Sequence, residues 1–131
     1  MSEISDLMST DVVTAGPDTT ILEATNILVK HNISGLPVVD NKKKLLGIVS
    51  EKDLLRLTYG LKTRSYTSND SPKTVQEVMT KEIVTFDEDD SLSDIIKCLM
   101  ENNFRRVPIL SGDKLVGIIS RKDLLLCKLL V

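Results

Sequence analysis

Apolar and polar positions recur in the same order twice along the chain. Residues 45–55 read LLGIVSEKDLL, and residues 115–125 read LVGIISRKDLL. Earlier positions also match: Pro37 corresponds to Pro108, 71 residues later, and after the turn near Asn41 the spacing becomes 70 residues. A repeat that preserves the order of apolar and polar positions indicates two copies of one structural unit.

The first part of each copy predicts a strand followed by a helix. In the first copy, Asp11–Thr14 is short and β-branched and is stopped by the turn signal Gly16-Pro17, so it is predicted to be a strand. Thr20 and Glu23 have the spacing of a capping box, and apolar residues then recur at helical spacing. This pattern predicts a helix that begins after Thr20. The helix is predicted to end near residues 31–32.

The second part of each copy predicts a hairpin and another helix. In the first copy, the apolar runs at 36–39 and 45–49 flank a polar turn, which is typical of an antiparallel hairpin. Ser50 then stands where it can cap a helix that starts with Glu51. The short segments 3–8 and 74–79, which precede the two copies, are predicted to form helical turns.

The second copy predicts the same order of elements. These are a strand at 83–86, a helix from Ser91 to Asn102 with Asp94 at the capping-box position, strands at 107–110 and 115–119, and a helix from Arg121. The stretch 58–73 is rich in Ser, Thr, Asn and Lys and shows no sustained periodicity, so we interpret it as a mobile linker. The predicted organisation is unit 1 at 1–57, the linker at 58–73, and unit 2 at 74–131.

Composition and charge exclude several classes of protein. With 17 Lys and Arg against 19 Asp and Glu, the net charge is -2, so binding to nucleic acid is not expected. No apolar run approaches the roughly 20 residues that span a bilayer, and residues 1–10 lack the features of a signal peptide. These features predict a cytoplasmic protein without a membrane partner.

The sequence does not predict a metal centre or a catalytic centre. The chain has one histidine, His31, and two cysteines, Cys98 and Cys127, which lack metal-ligand spacing. No group of residues supplies a nucleophile, its base and an orienting group. We therefore expect neither an enzyme nor a resident cofactor.

Taken together, the repeated motifs carry a family resemblance. Met-Ser/Thr-x-Asp/Glu-Val/Ile-Val-Thr, then Leu/Val-Pro-Val/Ile, then Gly-Ile-Val/Ile-Ser-x-Lys-Asp occur in this order in both copies. The chain resembles a tandem cystathionine β-synthase (CBS) domain pair over nearly all of its length except the linker. The resemblance implies an α/β (α+β) fold of two β-α-β-β-α units, packed through their sheets as a pseudo-two-fold pair.

Local chemistry gives the repeated Ser-x-x-Asp two interpretations. Ser50 or Ser120 offers a hydroxyl and exposed N–H groups at a helix start, which suits a phosphate, and Asp53 or Asp123 can accept from ribose hydroxyls. Each Ser-x-x-Asp segment is also an ordinary helix-capping arrangement. The duplication and the family resemblance favour the ligand-binding interpretation.

The resemblance implies two ligand clefts, each formed by both units. The first cleft would contain Thr10, Val12, Val13, Ile33, Ser34, Arg106, Pro108, Ser120, Lys122 and Asp123. The second would contain Pro37, Ser50, Asp53, Lys81, Ile83, Val84, Phe104 and Arg105. The first cleft should be the tighter site, because an arginine can hold a phosphate in a bidentate fork and Gly35 stands where the second copy has Arg106.

These observations predict a stand-alone regulatory module that binds AMP, ADP or ATP and signals by a conformational or oligomeric change. A homodimer is expected because the leucine-rich segments 54–55 and 124–126 exceed what a thin sandwich covers, and an unidentified protein target is possible. The alternatives are a ligand-free dimerisation or scaffold protein and an S-adenosylmethionine-binding module. Sequence does not separate mono-, di- and triphosphate ligands.

Overall fold

The computed structural model describes residues 3–127 and has the mixed α+β architecture that the repeats predict. Residues 128–131, in the second predicted unit, lie outside this range. In chain order the elements are α1 (Glu3–Leu7), α2 (Ile21–His31), β1 (Gly35–Val39), β2 (Leu45–Ser50), α3 (Glu51–Lys62), a 3-10 turn (Val75–Glu77), β3 (Phe86–Asp87), α4 (Leu92–Glu101), β4 (Arg106–Ser111), β5 (Lys114–Ser120) and α5 (Arg121–Leu125). Both predicted hairpins and the helical turns at 3–8 and 74–79 are therefore confirmed.

The chain divides into two compact units. The first-hairpin unit runs from Val13 to Ile83 and contains β1 and β2. The second-hairpin unit takes the chain up to Val12 and from Val84 onward, and contains β3, β4 and β5. Each compact unit therefore contains the leading segment of the other sequence repeat.

Backbone pairing explains this exchange of leading segments. Thr80, which precedes the second repeat, exchanges two backbone hydrogen bonds with Ile48 of β2, with N–O distances of 2.8 and 2.9 Å. Ser9, which precedes the first repeat, exchanges two bonds of 2.9 Å with Ile118 of β5. Each leading segment thus satisfies the free edge of a hairpin strand.

The first-hairpin unit packs α2 and the 3-10 turn against its hairpin. Strands β1 and β2 are antiparallel, with Leu36 opposite Val49 and Val38 opposite Gly47. The buried cluster contains Ala15, Ala24, Leu28, Leu36, Val38, Val49 and Val75. The core comes from aliphatic side chains on alternate strand positions and on one helix face, as the apolar pattern requires.

The capping box predicted for α2 is confirmed. The Thr20 hydroxyl accepts from the Glu23 backbone N–H at 3.1 Å, and a Glu23 carboxylate oxygen accepts from the Thr20 N–H at 3.2 Å. At the other end, Asn32 adopts the left-handed conformation with φ of 51° and terminates the helix.

The second-hairpin unit contains a three-stranded sheet in the order β3, β4, β5. Strand β3 is parallel to β4, and β4 is antiparallel to β5. The buried cluster contains Ile4, Leu92, Ile95, Leu99, Val107, Ile109 and Ile119. The turn of helix at α1 therefore contributes a core residue, Ile4, to this unit.

The predicted strand at Asp11–Thr14 is wrong, and the strand predicted at 83–86 is reduced to Phe86–Asp87. In the first repeat, Ala15 alone bridges to Val38 in parallel. To extend this pairing toward Val13, residue 37 would have to donate an N–H, and Pro37 has none. Pro108 removes the same donor in the second repeat.

The capping box predicted at Ser91 and Asp94 is also wrong. The Ser91 side chain makes no capping bond, and its hydroxyl lies 2.7 Å from the hydroxyl of Ser93. The helix itself is confirmed from Leu92 to Glu101. In addition, residues 58–62 of the predicted linker belong to α3, which continues to Lys62.

Candidate functional site

The start of α3 is a complete capping box centred on Ser50 and Asp53. The Ser50 hydroxyl accepts from the Asp53 N–H at 3.2 Å. Oδ2 of Asp53 accepts from the Ser50 N–H at 2.8 Å and from the Ser50 hydroxyl at 2.9 Å. Two hydrogen bonds to Oδ2 therefore fix the orientation of the Asp53 carboxylate.

The start of α5 repeats this geometry at Ser120 and Asp123. Oδ2 of Asp123 accepts from the Ser120 N–H at 2.8 Å and from its hydroxyl at 3.0 Å, while the Ser120 hydroxyl accepts from the Asp123 N–H at 3.2 Å. Among residues 3–127, no donor reaches Oδ1 of Asp123. The carboxylate is thus oriented, and one of its oxygens is open.

Each hairpin places a different residue opposite its capping serine. Arg106 is the cross-strand partner of Ser120, and Gly35 is the partner of Ser50. Directly opposed residues of antiparallel strands have neighbouring side chains. The structure therefore places Arg106 next to Ser120 across the strand pair, and the shared ligand-binding role of Arg106, Ser120 and Asp123 stays a prediction.

The Arg106 guanidinium is a cation without a protein counterion in the described part of the chain. In that part, the ion pair found joins Arg56 to Asp53, and no hydrogen bond to the Arg106 side chain is present. Arg106 is half-buried. The half-buried Arg106 guanidinium offers donors for an anion, and the open oxygen of Asp123 offers an acceptor for hydroxyl groups.

Thr80 is a site residue that the sequence analysis missed. Its hydroxyl lies 3.2 Å from Oδ1 and 3.4 Å from Oδ2 of Asp53. The available signal was the repeat itself, because Thr80 and Ser9 are hydroxyl residues at matching positions, each directly after a methionine. The side chain of Ser9 makes no corresponding bond to Asp123.

The other predicted ligand residues are distributed over both compact units. Val13, Ile33, Ser34, Pro37, Lys81 and Ile83 lie in the first-hairpin unit, while Thr10, Val12, Val84, Phe104, Arg105, Pro108 and Lys122 lie in the second-hairpin unit. Pro37 and Pro108 are buried within β1 and β4, whereas Val84 and Phe104 remain exposed. Their assignment to two clefts stays a prediction.

Apolar surface is exposed on the helices. In the first-hairpin unit, a groove of about 470 Å³ between α2 and α3 is lined by residues that include Leu28, Val29, Leu54 and Leu55. Val29 and Leu55 are 76% and 64% exposed. In the second-hairpin unit, Leu125 and Leu126 at the end of α5 are also largely exposed.

Residues 3–127 contain no cluster of three or more His, Cys, Asp or Glu side chains that could hold a metal ion. Within the same range, no helix is long and apolar enough to cross a bilayer. Cys98 and Cys127 are free thiols. The distinctive polar groups are therefore those of the two capping boxes and their neighbours.

Comparison with known proteins identifies relatives of the whole chain. A family model described as the CBS domain matches residues 4–60 and 75–129. The inosine-5'-monophosphate dehydrogenase of Methanocaldococcus jannaschii is 34% identical over 126 residues, which are 95% of this chain and 23% of the dehydrogenase. The chain thus spans about a quarter of that relative's length.

Two solved structures share both fold and sequence with the chain. The crystal structure of CBSX2 in complex with AMP has a TM-score of 0.81 and 30% identity, and the match covers 95% of this chain and 94% of CBSX2. The CBS domain pair of the protein MJ0100, in complex with 5-methylthioadenosine and S-adenosylmethionine, has a TM-score of 0.72 and 31% identity, with coverage of 92% and 90%.

Proposed function

The chain belongs to the CBS domain family, and we propose that it is a regulatory module that binds an adenine nucleotide, AMP, ADP or ATP, and catalyses no reaction. Two structural relatives were solved with adenosine-containing ligands, one with AMP and one with 5-methylthioadenosine and S-adenosylmethionine. These relatives support an adenosine ligand as a class. The choice of nucleotide rests on the residues of this chain.

The geometry of Asp123 is the observation that carries the proposal. The Ser120 N–H and hydroxyl donate to Oδ2 and hold the carboxylate in one orientation, and Oδ1 accepts no hydrogen bond from residues 3–127. A carboxylate of this kind can accept from the hydroxyls of a ribose, as an acidic residue does in dinucleotide-binding folds. Because the carboxylate is already oriented, binding costs little ordering of the side chain.

Arg106 favours a ligand that carries phosphate. It lies across the strand pair from Ser120, so its side chain starts next to the serine that orients Asp123. A guanidinium binds phosphate through two parallel hydrogen bonds. The neighbouring Arg105 and Lys122 side chains are exposed and long enough to add further cations for a di- or triphosphate.

Isothermal titration of the nucleotide-stripped chain with AMP, ATP and S-adenosylmethionine tests this proposal. We expect saturable binding of AMP or ATP in which the tighter site is lost in Asp123→Ala and is weakened at least tenfold in Arg106→Ala. Lys114→Ala, at the far end of the same hairpin, is the matched control and should bind as the wild type does. Absence of heat with every ligand, together with an unchanged melting temperature, contradicts the proposal.

S-adenosylmethionine is a second candidate ligand, favoured by the complex of the MJ0100 domain pair. It shares the adenosine part and would use Asp123 in the same way, but it has no phosphate for Arg106. Binding of S-adenosylmethionine that is lost in Asp123→Ala and retained in Arg106→Ala would identify this ligand.

A ligand-free dimerisation or scaffold protein is the candidate from a different class. The exposed apolar residues of α2, α3 and α5, such as Val29, Leu55 and Leu125, favour association with a second copy. Sedimentation of wild type and Leu55→Asp measures this directly. A dimer that dissociates in the variant, in a chain that binds no nucleotide, would support the scaffold.

A further inference from the structure

The two capping boxes differ in how fully their carboxylates are used. Oδ1 of Asp53 accepts from the Thr80 hydroxyl at 3.2 Å and from Nη1 of Arg56 at 3.3 Å. Oδ1 of Asp123 has no such partner among residues 3–127. Asp53 is also 6% exposed, whereas Asp123 is half-buried.

The substitutions behind this difference can be read from the repeat. Position 9 corresponds to position 80, and position 126 corresponds to position 56. The second-hairpin unit has Ser9 and Leu126 at these positions, so it lacks the arginine and its serine makes no bond to the carboxylate. The bonds of Thr80 and Arg56 to Asp53 are therefore specific to the first-hairpin unit.

We propose that Thr80 and Arg56 form a latch that closes the Asp53 carboxylate to a ribose. This inference rests on the proposed function, since it concerns the same class of ligand at the second copy of the motif. A carboxylate has about four lone-pair positions. The Ser50 N–H and hydroxyl use those of Oδ2, and Thr80 and Arg56 use those of Oδ1.

Thr80 is the main part of the latch. The Arg56 side chain is 73% exposed, so water competes for its ion pair with Asp53. Thr80 is held in place by its two backbone bonds to Ile48, and its β-branched side chain has few rotamers. Its hydroxyl therefore stays near Oδ1 unless a ligand displaces it.

Displacement of Thr80 would connect binding to a structural change. Thr80 directly precedes Lys81 and lies three residues before Ile83, and both of these are predicted ligand residues. A ribose at Asp53 must turn the Thr80 hydroxyl away, which breaks a side-chain contact at the start of the 80–83 segment. Binding at Asp53 should then require a higher nucleotide concentration than binding at Asp123. One chain would therefore respond at two nucleotide concentrations.

The test uses the full chain with Asp123→Ala. Of the two Ser-x-x-Asp carboxylates, this variant keeps only that of Asp53. Thr80→Val removes the hydroxyl and keeps the branched shape, while Thr80→Ser keeps the hydroxyl. Ser9→Ala, at the matching position of the other unit, is the control. Titration with AMP should show at least fivefold tighter binding in Thr80→Val and no change in Thr80→Ser or Ser9→Ala, with melting temperatures confirming that each variant is folded.

Equal or weaker binding in Thr80→Val, in a chain whose wild type binds AMP through Asp123, would overturn the latch and leave the proposed function intact. A wild type and a Thr80→Val variant that both fail to bind AMP, ATP or S-adenosylmethionine would overturn both proposals.

Discussion

Gly47 lies so close to Thr80 that a methyl group added at Gly47 would stand 2.8 Å from the Thr80 carbonyl oxygen. The same methyl group would be 2.9 Å from Sδ of Met79. The second repeat has the same relationship, because a methyl group at Gly117 would stand 3.0 Å from the Ser9 carbonyl oxygen. Both glycines therefore permit a leading segment to pair with the edge of a hairpin.

Gly47→Ala should destabilise the first-hairpin unit by about 1–3 kcal/mol, the usual cost of overpacking a tight contact. The Thr80 carbonyl is backbone and is hydrogen-bonded to Ile48, so it has little freedom to move. Urea unfolding measures the loss. Gly16→Ala is the control, because the nearest atom to its added methyl would be 3.9 Å away. Equal stability of the two variants would refute this role of Gly47.

Asp53→Ala should cost more stability than Asp123→Ala, although both remove the same capping carboxylate. Loss of the capping-box hydrogen bonds at a helix start costs about 1 kcal/mol. Asp53→Ala also removes the acceptor of the Thr80 hydroxyl in a buried environment, so we expect a total of about 2–3 kcal/mol. Urea unfolding of both variants measures the free energy of unfolding. A larger loss of stability in Asp123→Ala would contradict a stabilising role for the bond between Thr80 and Asp53.

Thr74→Val should leave stability unchanged or raise it by up to about 1 kcal/mol. The buried hydroxyl oxygen of Thr74 has no hydrogen-bond partner in the described part of the chain. A methyl group of similar shape removes an unsatisfied polar atom and keeps the branched side chain. Thermal unfolding tests this, and a lower melting temperature would show that the hydroxyl has a stabilising partner.

The hairpin turn at Asp40 should make stability depend on acid pH. The backbone N–H groups of Lys44 and Lys42 donate to the Asp40 carboxylate and hold its pKa below the ordinary value of 3.8. Since the pKa is lower in the folded state, the stabilisation is complete above pH 3.8 and is lost as the pH falls through the folded value.

Melting temperatures between pH 2 and 7 for wild type and Asp40→Asn check this prediction. The asparagine has no charge to lose, so the difference between the two proteins should shrink below about pH 4. A difference that is constant across the whole range would show that the charge of Asp40 is not involved.

Local signals in the sequence predicted much of the fold. Thr20 and Ser50 were recognisable as helix caps because the partner carboxylate lies three residues away in the chain. The strand at Asp11–Thr14 was predicted wrongly because its β-branched residues favour a strand, whereas the missing N–H that prevents pairing belongs to Pro37.

The candidate site was predictable where it depends on one hairpin. Arg106 and Ser120 could be brought together by the register of a short antiparallel pair. The contact of Thr80 with Asp53 joins residues 27 apart and arises from the exchange of leading segments, which no local pattern encodes. The capping box predicted at Ser91 is absent, and the Ser91 hydroxyl pairs instead with that of Ser93.

Amide chemical shifts recorded during an AMP titration of the nucleotide-stripped chain test the central claim most directly. The account predicts saturable shifts at Ser120, Asp123 and Arg106 at lower AMP concentration than at Ser50 and Asp53. If none of these five residues shifts at saturating AMP, or if Asp53 shifts at lower AMP concentration than Asp123, the result contradicts it.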